Sequence, residues 1–112
     1  MNLFPNLSGA AFSPCGLYRI KLWRIWDEIK PLVMFLMLNP STADDIDNDP
    51  TVERCQRRAQ MLGFGGLMVG NIFAYQSTDP AGLHDPEDPI GAGNDEALIE
   101  MARRDGDLRV VH

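Results

Sequence analysis

The chain has 112 residues, of which 45% are hydrophobic and 23% charged, a composition typical of one globular domain. Ten lysines and arginines against sixteen aspartates and glutamates give a formal net charge of -6, which argues against broad electrostatic attraction to nucleic acid or to an anionic membrane. The N-terminus has no signal-peptide pattern, and no apolar run is long enough to cross a bilayer, so we expect a cytoplasmic protein without membrane contact.

We expect a single domain over residues 1–112 that opens with an irregular N-terminal arm over residues 1–16, because this stretch is rich in proline and glycine. Leu17–Trp26 then alternates between apolar and charged residues, which predicts a half-buried strand at the edge of a sheet. The positions expected to face inward on this strand are Tyr18, Ile20 and Leu22.

The centre of the chain reads as a strand, a helix and a second strand. Leu32–Leu38 has seven apolar residues in a row, as in a strand of a parallel sheet that is buried on both faces. Asp49 followed by Pro50 predicts a helix start, with aspartate as the N-cap, and Gly63 predicts its end. Leu67–Tyr75 is the second buried strand. The expected buried face of the helix consists of Val52, Cys55, Ala59 and Leu62.

A second helix is predicted from Asn94 or Asp95 to Arg104, with a further strand beginning after it. Its inward residues are expected to be Leu98, Ile99 and Ala102. Strands alternating with helices are typical of α/β proteins, so we expect a three-layer α/β sandwich with a mainly parallel sheet.

The sequence favours neither a metal site nor a disulfide bond. Cys15 and Cys55 form no CxxC motif, and neither they nor His84 and His112 have the spacing of zinc ligands. Two reduced thiols are therefore favoured over a disulfide, no metal site or cofactor is expected, and His84 is expected to lie exposed in a loop.

Polar segments follow both predicted inner strands: Asn39–Asp49 after the first and Gln76–Gly93 after the second. Ligands of α/β sheets bind beyond the carboxyl ends of the strands, and long loops are frequently functional. We therefore expect the functional cleft between these two segments.

The first segment carries two groups of candidate residues. Its opening amide and hydroxyl groups could face a ligand, or could form a turn with their own backbone; these residues are Asn39, Pro40, Ser41 and Thr42. The acidic cluster that follows consists of Asp44, Asp45, Asp47 and Asp49. It lacks the glycine and the final glutamate of a calcium loop, so a solvated loop with a helix cap is favoured.

Three further positions complete the candidate site. Asn71 lies in an apolar strand and must be paired there, either tying down a neighbouring loop or reading the polar edge of a ligand. Phe73 and Tyr75 follow it as candidate substrate-binding residues. Arg54, near the start of the first helix, either meets an anion at the cleft or lines a solvated face.

Several motifs in order resemble domain-of-unknown-function family 1643: MLNPSTAD, DNDPTVERC, GFGGLMVGNIFAY and the TDPAGL…DPIGAGND loop. The resemblance covers roughly residues 15–100. It implies that family members continue past this sequence with Trp-Gly and His-Pro segments, so that the present chain is short at its C-terminal end. The family itself implies no reaction.

A looser likeness concerns the uracil-DNA glycosylase superfamily, in which a buried strand ends in Asn-Pro and a later strand carries an asparagine. The likeness implies that Asn39 orients the attacking water and that Asn71 reads an extruded base. Met37 stands where that motif has glycine.

The leading hypothesis is a glycosylase-like cleft that binds or hydrolyses a nucleobase, nucleotide or nucleic-acid end. Asn39, Asp44 and Asp45 are its catalytic candidates, with Asp44 or Asp45 as the base, and Arg54 would hold phosphate. The alternatives are a non-catalytic module that binds a partner or metabolite, and a truncated fold whose open sheet edge is covered by a second copy.

Overall fold

The computed structural model describes residues 7–77, 88–105 and 108–110, with side chains up to residue 103. His84, His112 and most of the predicted Gln76–Gly93 loop lie outside these residues. The elements in chain order are β1 (Ser8–Phe12), β2 (Arg19–Ile25), β3 (Leu32–Met37), α1 (Pro50–Met61), β4 (Gly66–Asn71), α2 (Asn94–Asp105) and β5 (Leu108–Val110).

These strands form one sheet in the order β1-β2-β4-β3-β5. β3 pairs in parallel with β4 and with β5, whereas the β1–β2 and β2–β4 pairings are antiparallel. The expectation of a mainly parallel sheet is therefore wrong: the sheet is mixed. The short connection between β1 and β2 leaves no room for a crossover, so these strands must pair as a hairpin.

The N-terminal arm is also more regular than expected, because residues 8–12 within it form β1. β1 pairs with the outer edge of β2. The strand that was predicted to lie at the sheet edge, β2, therefore lies inside the sheet, between β1 and β4. The register of the hairpin shifts at Phe12, which pairs with Arg19 although Ala11 pairs with Lys21. Such a bulge reverses the alternation. It accounts for the burial of Arg19, which the alternating pattern placed on the outer side.

α1 follows the prediction closely. Asp49 caps it, accepting a hydrogen bond from the Val52 amide at 2.8 Å, and Pro50 occupies the first turn. The helix ends before Gly63, which has a φ of 86° that favours glycine. Three of the four expected inward side chains are buried, the exception being the exposed Leu62. The core on this face of the sheet contains Leu22, Val33, Phe35, Val52, Cys55, Ala59, Leu67 and Val69.

α2 packs on the opposite face, where Met101 and Leu98 contact Met34 and Met68 of the sheet. Gly70 allows this close approach, since a Cβ atom there would lie 2.4 Å from the Leu98 side chain. The expected inward positions Ile99 and Ala102 are instead exposed, because the helix presents Met101 to the sheet. One helix thus covers each face. No helix in the described ranges has the length and apolarity needed to cross a membrane.

Candidate functional site

The ends of β3 and β4 form the site that the topology favours. The two strands are parallel neighbours, and Met37 at the end of β3 is in register with Asn71 at the end of β4. The chain leaves β3 toward α1 on one face of the sheet and reaches α2 from β4 on the other face. Connections that diverge in this way mark the usual ligand position of α/β proteins, and we call the region just beyond the ends of β3 and β4 the crevice. Backbone hydrogen bonds continue across it, from the Ile72 and Phe73 amides to the Met37 and Leu38 carbonyls.

Asn39 joins the two sides of this crevice. Its Nδ2 atom donates to the Ser77 carbonyl at 2.8 Å and to the Pro40 carbonyl at 3.2 Å. The Ser77 amide donates to the same Pro40 carbonyl, and the Gln76 side-chain amide donates to the carbonyl of Ser41. These bonds hold the Asn39–Ser41 segment against the segment that follows β4. Asn39 Nδ2 is therefore engaged with backbone, which leaves Oδ1 as the atom available to a ligand.

Asn71 is almost fully buried, at 1% exposure, and only one end of its amide is paired. Oδ1 accepts a hydrogen bond from the Arg19 guanidinium at 3.3 Å, and Nδ2 has no partner among the described residues. Because arginine can only donate, this contact fixes which end of the amide is oxygen. The free atom is therefore a hydrogen-bond donor.

Arg19, which the alternating pattern wrongly predicted to face outward, links Asn71 to the Asn39–Asp49 loop. Its guanidinium also donates to the Ala43 carbonyl at 3.0 Å. Desolvation lowers the pKa of Arg19 to about 10, the charge of Asp49 acts in the opposite direction, and that of Arg24 adds to the lowering. Of the two roles considered for Asn71, the structure supports the first, since its oxygen ties down the loop through Arg19, and the reading of a ligand stays a prediction.

Hydrogen bonds from Arg24 account for the conformation of the acidic loop. It is buried, and its guanidinium donates to the backbone carbonyls of Asp44 at 2.6 Å and Asp47 at 3.2 Å, and to Asn48 Oδ1 at 3.0 Å. Further bonds reach the carbonyls of Gly9 and Trp23. The loop therefore turns its carbonyl groups inward around an arginine. Across the described ranges, no group of three or more acidic, histidine or cysteine side chains is placed to hold a metal ion.

Asp44 is a poor candidate for a general base. Its Oδ1 atom accepts hydrogen bonds from the amides of Asp47 at 2.8 Å and Ile46 at 2.9 Å. These two bonds, the first being the larger cause, hold the pKa of Asp44 below its usual value. A carboxylate stabilised in this way is a weak proton acceptor. Asp45 is exposed, and the Ser8 hydroxyl donates to its backbone carbonyl at 2.5 Å.

The other candidates are dispersed. Pro40 is buried, Ser41 half-buried and Thr42 exposed. Arg54 is exposed on α1, where its guanidinium lies 3.4 Å from the Thr51 hydroxyl. Phe73 is half-buried. Tyr75 packs edge-on against Tyr18, with the ring centroids 5.6 Å apart.

A cleft of about 480 Å³, within the range of small-molecule sites, opens beside Tyr18. One side is the Ser13–Cys15 turn and the other is formed by Asp88, Gly91 and Ala92. The Tyr18 hydroxyl closes one side by donating to the Asp88 carbonyl at 2.7 Å. Cys15 is exposed here, whereas Cys55 is buried in the core, and both are free thiols as expected. Residues 13–15 contribute to this cleft, although no chemical signal in the sequence singled them out.

Asn94 is a second residue that sequence reasoning did not assign to the site. It was expected to cap α2, but its side chain turns to the end of β4. Nδ2 donates to the carbonyls of Asn71 at 2.7 Å and Ile72 at 3.2 Å. Asn94 is fully buried, and its Oδ1 atom has no partner in the described part of the chain. The GAGN sequence before a helix suggested only a turn and a cap.

Comparison with known proteins gives one match. The family model described as "Protein of unknown function (DUF1643)" matches residues 19–111. No curated protein matches the chain. No solved structure matches it either.

Proposed function

The chain belongs to the DUF1643 family of proteins of unknown function, and we propose that it binds a small polar ligand of the nucleobase or nucleotide class at the crevice between β3 and β4. The observation that carries the proposal is the Asn71 amide, which stands at the end of β4 with its nitrogen buried and unpaired in the described structure. The crevice lies at the position where α/β sheets bind ligands.

An unpaired buried donor favours binding of a complementary acceptor. Leaving such a group without a partner costs about 1–3 kcal/mol, which a ligand oxygen or ring nitrogen would recover. The edges of nucleobases present such acceptors in a plane, and amide side chains are well suited to read them.

Binding is favoured over hydrolysis by the state of the catalytic candidates. The pKa of Asp44 is lowered by backbone hydrogen bonds, and Asn39 Nδ2 is engaged with two carbonyls. For N-glycosidic hydrolysis, Asn39 Oδ1 would orient the water and the exposed Asp45 would accept its proton. Arg54 would meet a phosphate only if the ligand extended along α1.

Equilibrium binding of uridine and inosine, measured by calorimetry or NMR titration, tests the proposal. Asn71→Asp keeps an acceptor for Arg19 and removes the free donor, so it should fold and bind at least tenfold more weakly, a loss of about 1.4 kcal/mol. Gln60→Ala, at an exposed position on α1, is the matched control and should bind as the wild type does. Equal affinity of wild type and Asn71→Asp would refute the proposal.

A glycosylase assay separates binding from catalysis. Strands containing uracil or hypoxanthine would be incubated with wild type and with Asn39→Ala. If the wild type releases the base and Asn39→Ala does not, the catalytic role of Asn39 is supported. Equal activity of the two proteins would refute it. If the protein binds nucleosides but releases no base, its function is binding rather than hydrolysis.

A further inference from the structure

The cleft beside Tyr18 combines aromatic side chains with a carboxylate. Tyr18 and the exposed Phe12 both line it. Asp88 also lines it, and no lysine or arginine belongs to the lining among the described residues. Asp88 Oδ1 accepts hydrogen bonds from the Ile90 amide at 3.1 Å and the Gly91 amide at 3.2 Å. Within the described ranges no salt bridge neutralises this carboxylate.

The negative groups of this cleft lie close enough to Tyr18 to act on it. Desolvation raises the pKa of Tyr18, and the charges of Asp88 and Cys15 raise it further. The hydroxyl group therefore stays protonated and donates to the Asp88 carbonyl at 2.7 Å. A neutral aromatic ring has an electron-rich face that attracts cations. The net charge of -6 on the chain adds to this attraction.

Both walls of the cleft are held in place by the fold. The Tyr75 amide donates to the Pro89 carbonyl at 3.0 Å, which anchors the wall that follows residue 87. Gly91 of the same wall lies against the Tyr18 ring, since a Cβ atom there would be 2.8 Å from Tyr18 Cδ2. On the other side, the Ser13 amide donates to the Tyr18 carbonyl at 2.8 Å. A site that is ordered in advance loses less entropy when it binds a ligand.

We propose that this cleft binds a small organic cation in which an ammonium group is joined to an aromatic body. The ammonium group pairs with the Asp88 carboxylate, and the aromatic body contacts Phe12 and Tyr18. The cleft volume of about 480 Å³ suits a ligand of this size. Neither Asn39 nor Asn71 belongs to the lining, so the proposal does not depend on ligand binding in the crevice.

The test compares phenethylamine with 2-phenylethanol, which have the same carbon frame and differ in charge at pH 7. Both are titrated into the wild-type chain and followed by the NMR shifts of backbone amides around Tyr18 and Gly91. We expect saturable shifts, with the amine bound about fivefold more tightly or better, because one charge contact at an exposed site contributes up to about fivefold. Equal affinities, the opposite order or a lack of saturable shifts would overturn the proposal.

Cys15 reports whether the ligand occupies this cleft. Its exposed thiol belongs to the lining, whereas that of Cys55 is buried in the core. Saturating phenethylamine should slow the modification of Cys15 by iodoacetamide by about threefold or more, as measured by peptide mass spectrometry. Binding that leaves the rate at Cys15 unchanged would place the ligand elsewhere and would overturn the proposal.

Asp88→Asn tests the charge itself. The variant keeps the oxygen that the Ile90 and Gly91 amides require and removes the negative charge. The ratio of amine to alcohol affinity should fall by about threefold or more, while the affinity for the alcohol stays the same. An unchanged ratio would overturn the proposal.

Glu28→Gln is the matched control for Asp88→Asn. Glu28 is exposed in the turn after β2, at the opposite end of that strand from Tyr18, and the substitution makes the same change in net charge. It should leave the ratio at the wild-type value. An equal fall in both variants would show a general effect of charge and would count against the cleft. Circular dichroism checks that Asp88→Asn folds, and the comparison of the two probes on the wild type does not depend on that outcome.

Discussion

The guanidinium group of Arg24 donates a 2.6 Å hydrogen bond to the backbone carbonyl of Asp44. The arginine comes from β2, where it is in register with Leu67 near the start of β4, and the carbonyl comes from the loop that follows β3, so this bond fixes that loop to the sheet away from the Asn71 end of β4. A carbonyl group carries no net charge, yet a charged donor strengthens its hydrogen bond. The sheet therefore holds the loop in addition to the bonds made by the loop's own side chains, such as those of Asp44 and Asp49.

Arg24→Met should destabilise the fold. The substitution keeps much of the side-chain volume and removes the donor of five hydrogen bonds, of which the one to the Gly9 carbonyl is buried and the other four are partly buried. We expect a loss of about 3 kcal/mol in the free energy of unfolding, measured by urea denaturation. The control is Arg57→Met, because Arg57 is exposed and, within the described ranges, pairs with Glu53 on the same helix. It should cost less than about 0.5 kcal/mol; similar losses for both variants would contradict the role of Arg24.

Asp49→Ala should weaken the start of α1. Its Oδ1 atom accepts from the Val52 amide at 2.8 Å and its Oδ2 atom accepts from the Ala43 amide at 3.3 Å. Loss of an N-cap costs about 1–2 kcal/mol, and the second bond adds to it. Asparagine is also a good N-cap, so Asp49→Asn should retain most of the stability in the same denaturation experiment. Equal losses in the two variants would show that the cap is not the cause.

Acid should destabilise the wild type more than Asp44→Asn. The backbone hydrogen bonds lower the pKa of Asp44 in the folded chain below its ordinary value of 3.8. A lowered folded pKa adds stability above the unfolded pKa, and this contribution is lost as the pH falls through the folded value. The melting temperatures of the two proteins, measured between pH 6 and about pH 2, should therefore converge as acid is added. Parallel curves would contradict this.

The two thiols should differ in reactivity. The hydroxyl of Ser13 lies 3.3 Å from the Cys15 sulfur and lowers the pKa of that exposed thiol, whereas burial raises the pKa of Cys55. Iodoacetamide at neutral pH should therefore modify Cys15 first, as peptide mass spectrometry would show. Ser13→Ala should slow the reaction of Cys15 and leave Cys55 unchanged. Faster modification of Cys55 would contradict the expected order.

The central part of the fold could be predicted because its signals are local. The unbroken apolar run gave β3, the Asp49-Pro50 pair gave the start of α1, and Gly63 gave its end. The direction of the outer strands could not be predicted in this way. It depends on which strands pair across the sheet, and the bulge at Phe12 that buries Arg19 leaves no mark in the alternation.

The candidate site was only partly visible in the sequence. Asn71 could be chosen because a polar side chain in an apolar strand needs a partner. Arg19 and Asn94 could not, since both read as ordinary surface or cap residues and become buried through contacts with distant parts of the chain. The aspartates were chosen as candidates for their side-chain charge. In the structure, the backbone carbonyls of Asp44 and Asp47 are the groups that bind Arg24.

That use of main-chain oxygen has a consequence for how the protein can evolve. Every amino acid supplies the same carbonyl, so the exposed positions Asp45 and Asp47 can accept new side chains while the loop keeps its path. Mutational drift at these two positions would therefore change the surface of the loop while its path and the scaffold stay the same. In a saturation library, folded variants at Asp45 and Asp47 should be as frequent as at the exposed Gln60, and their depletion would contradict this tolerance.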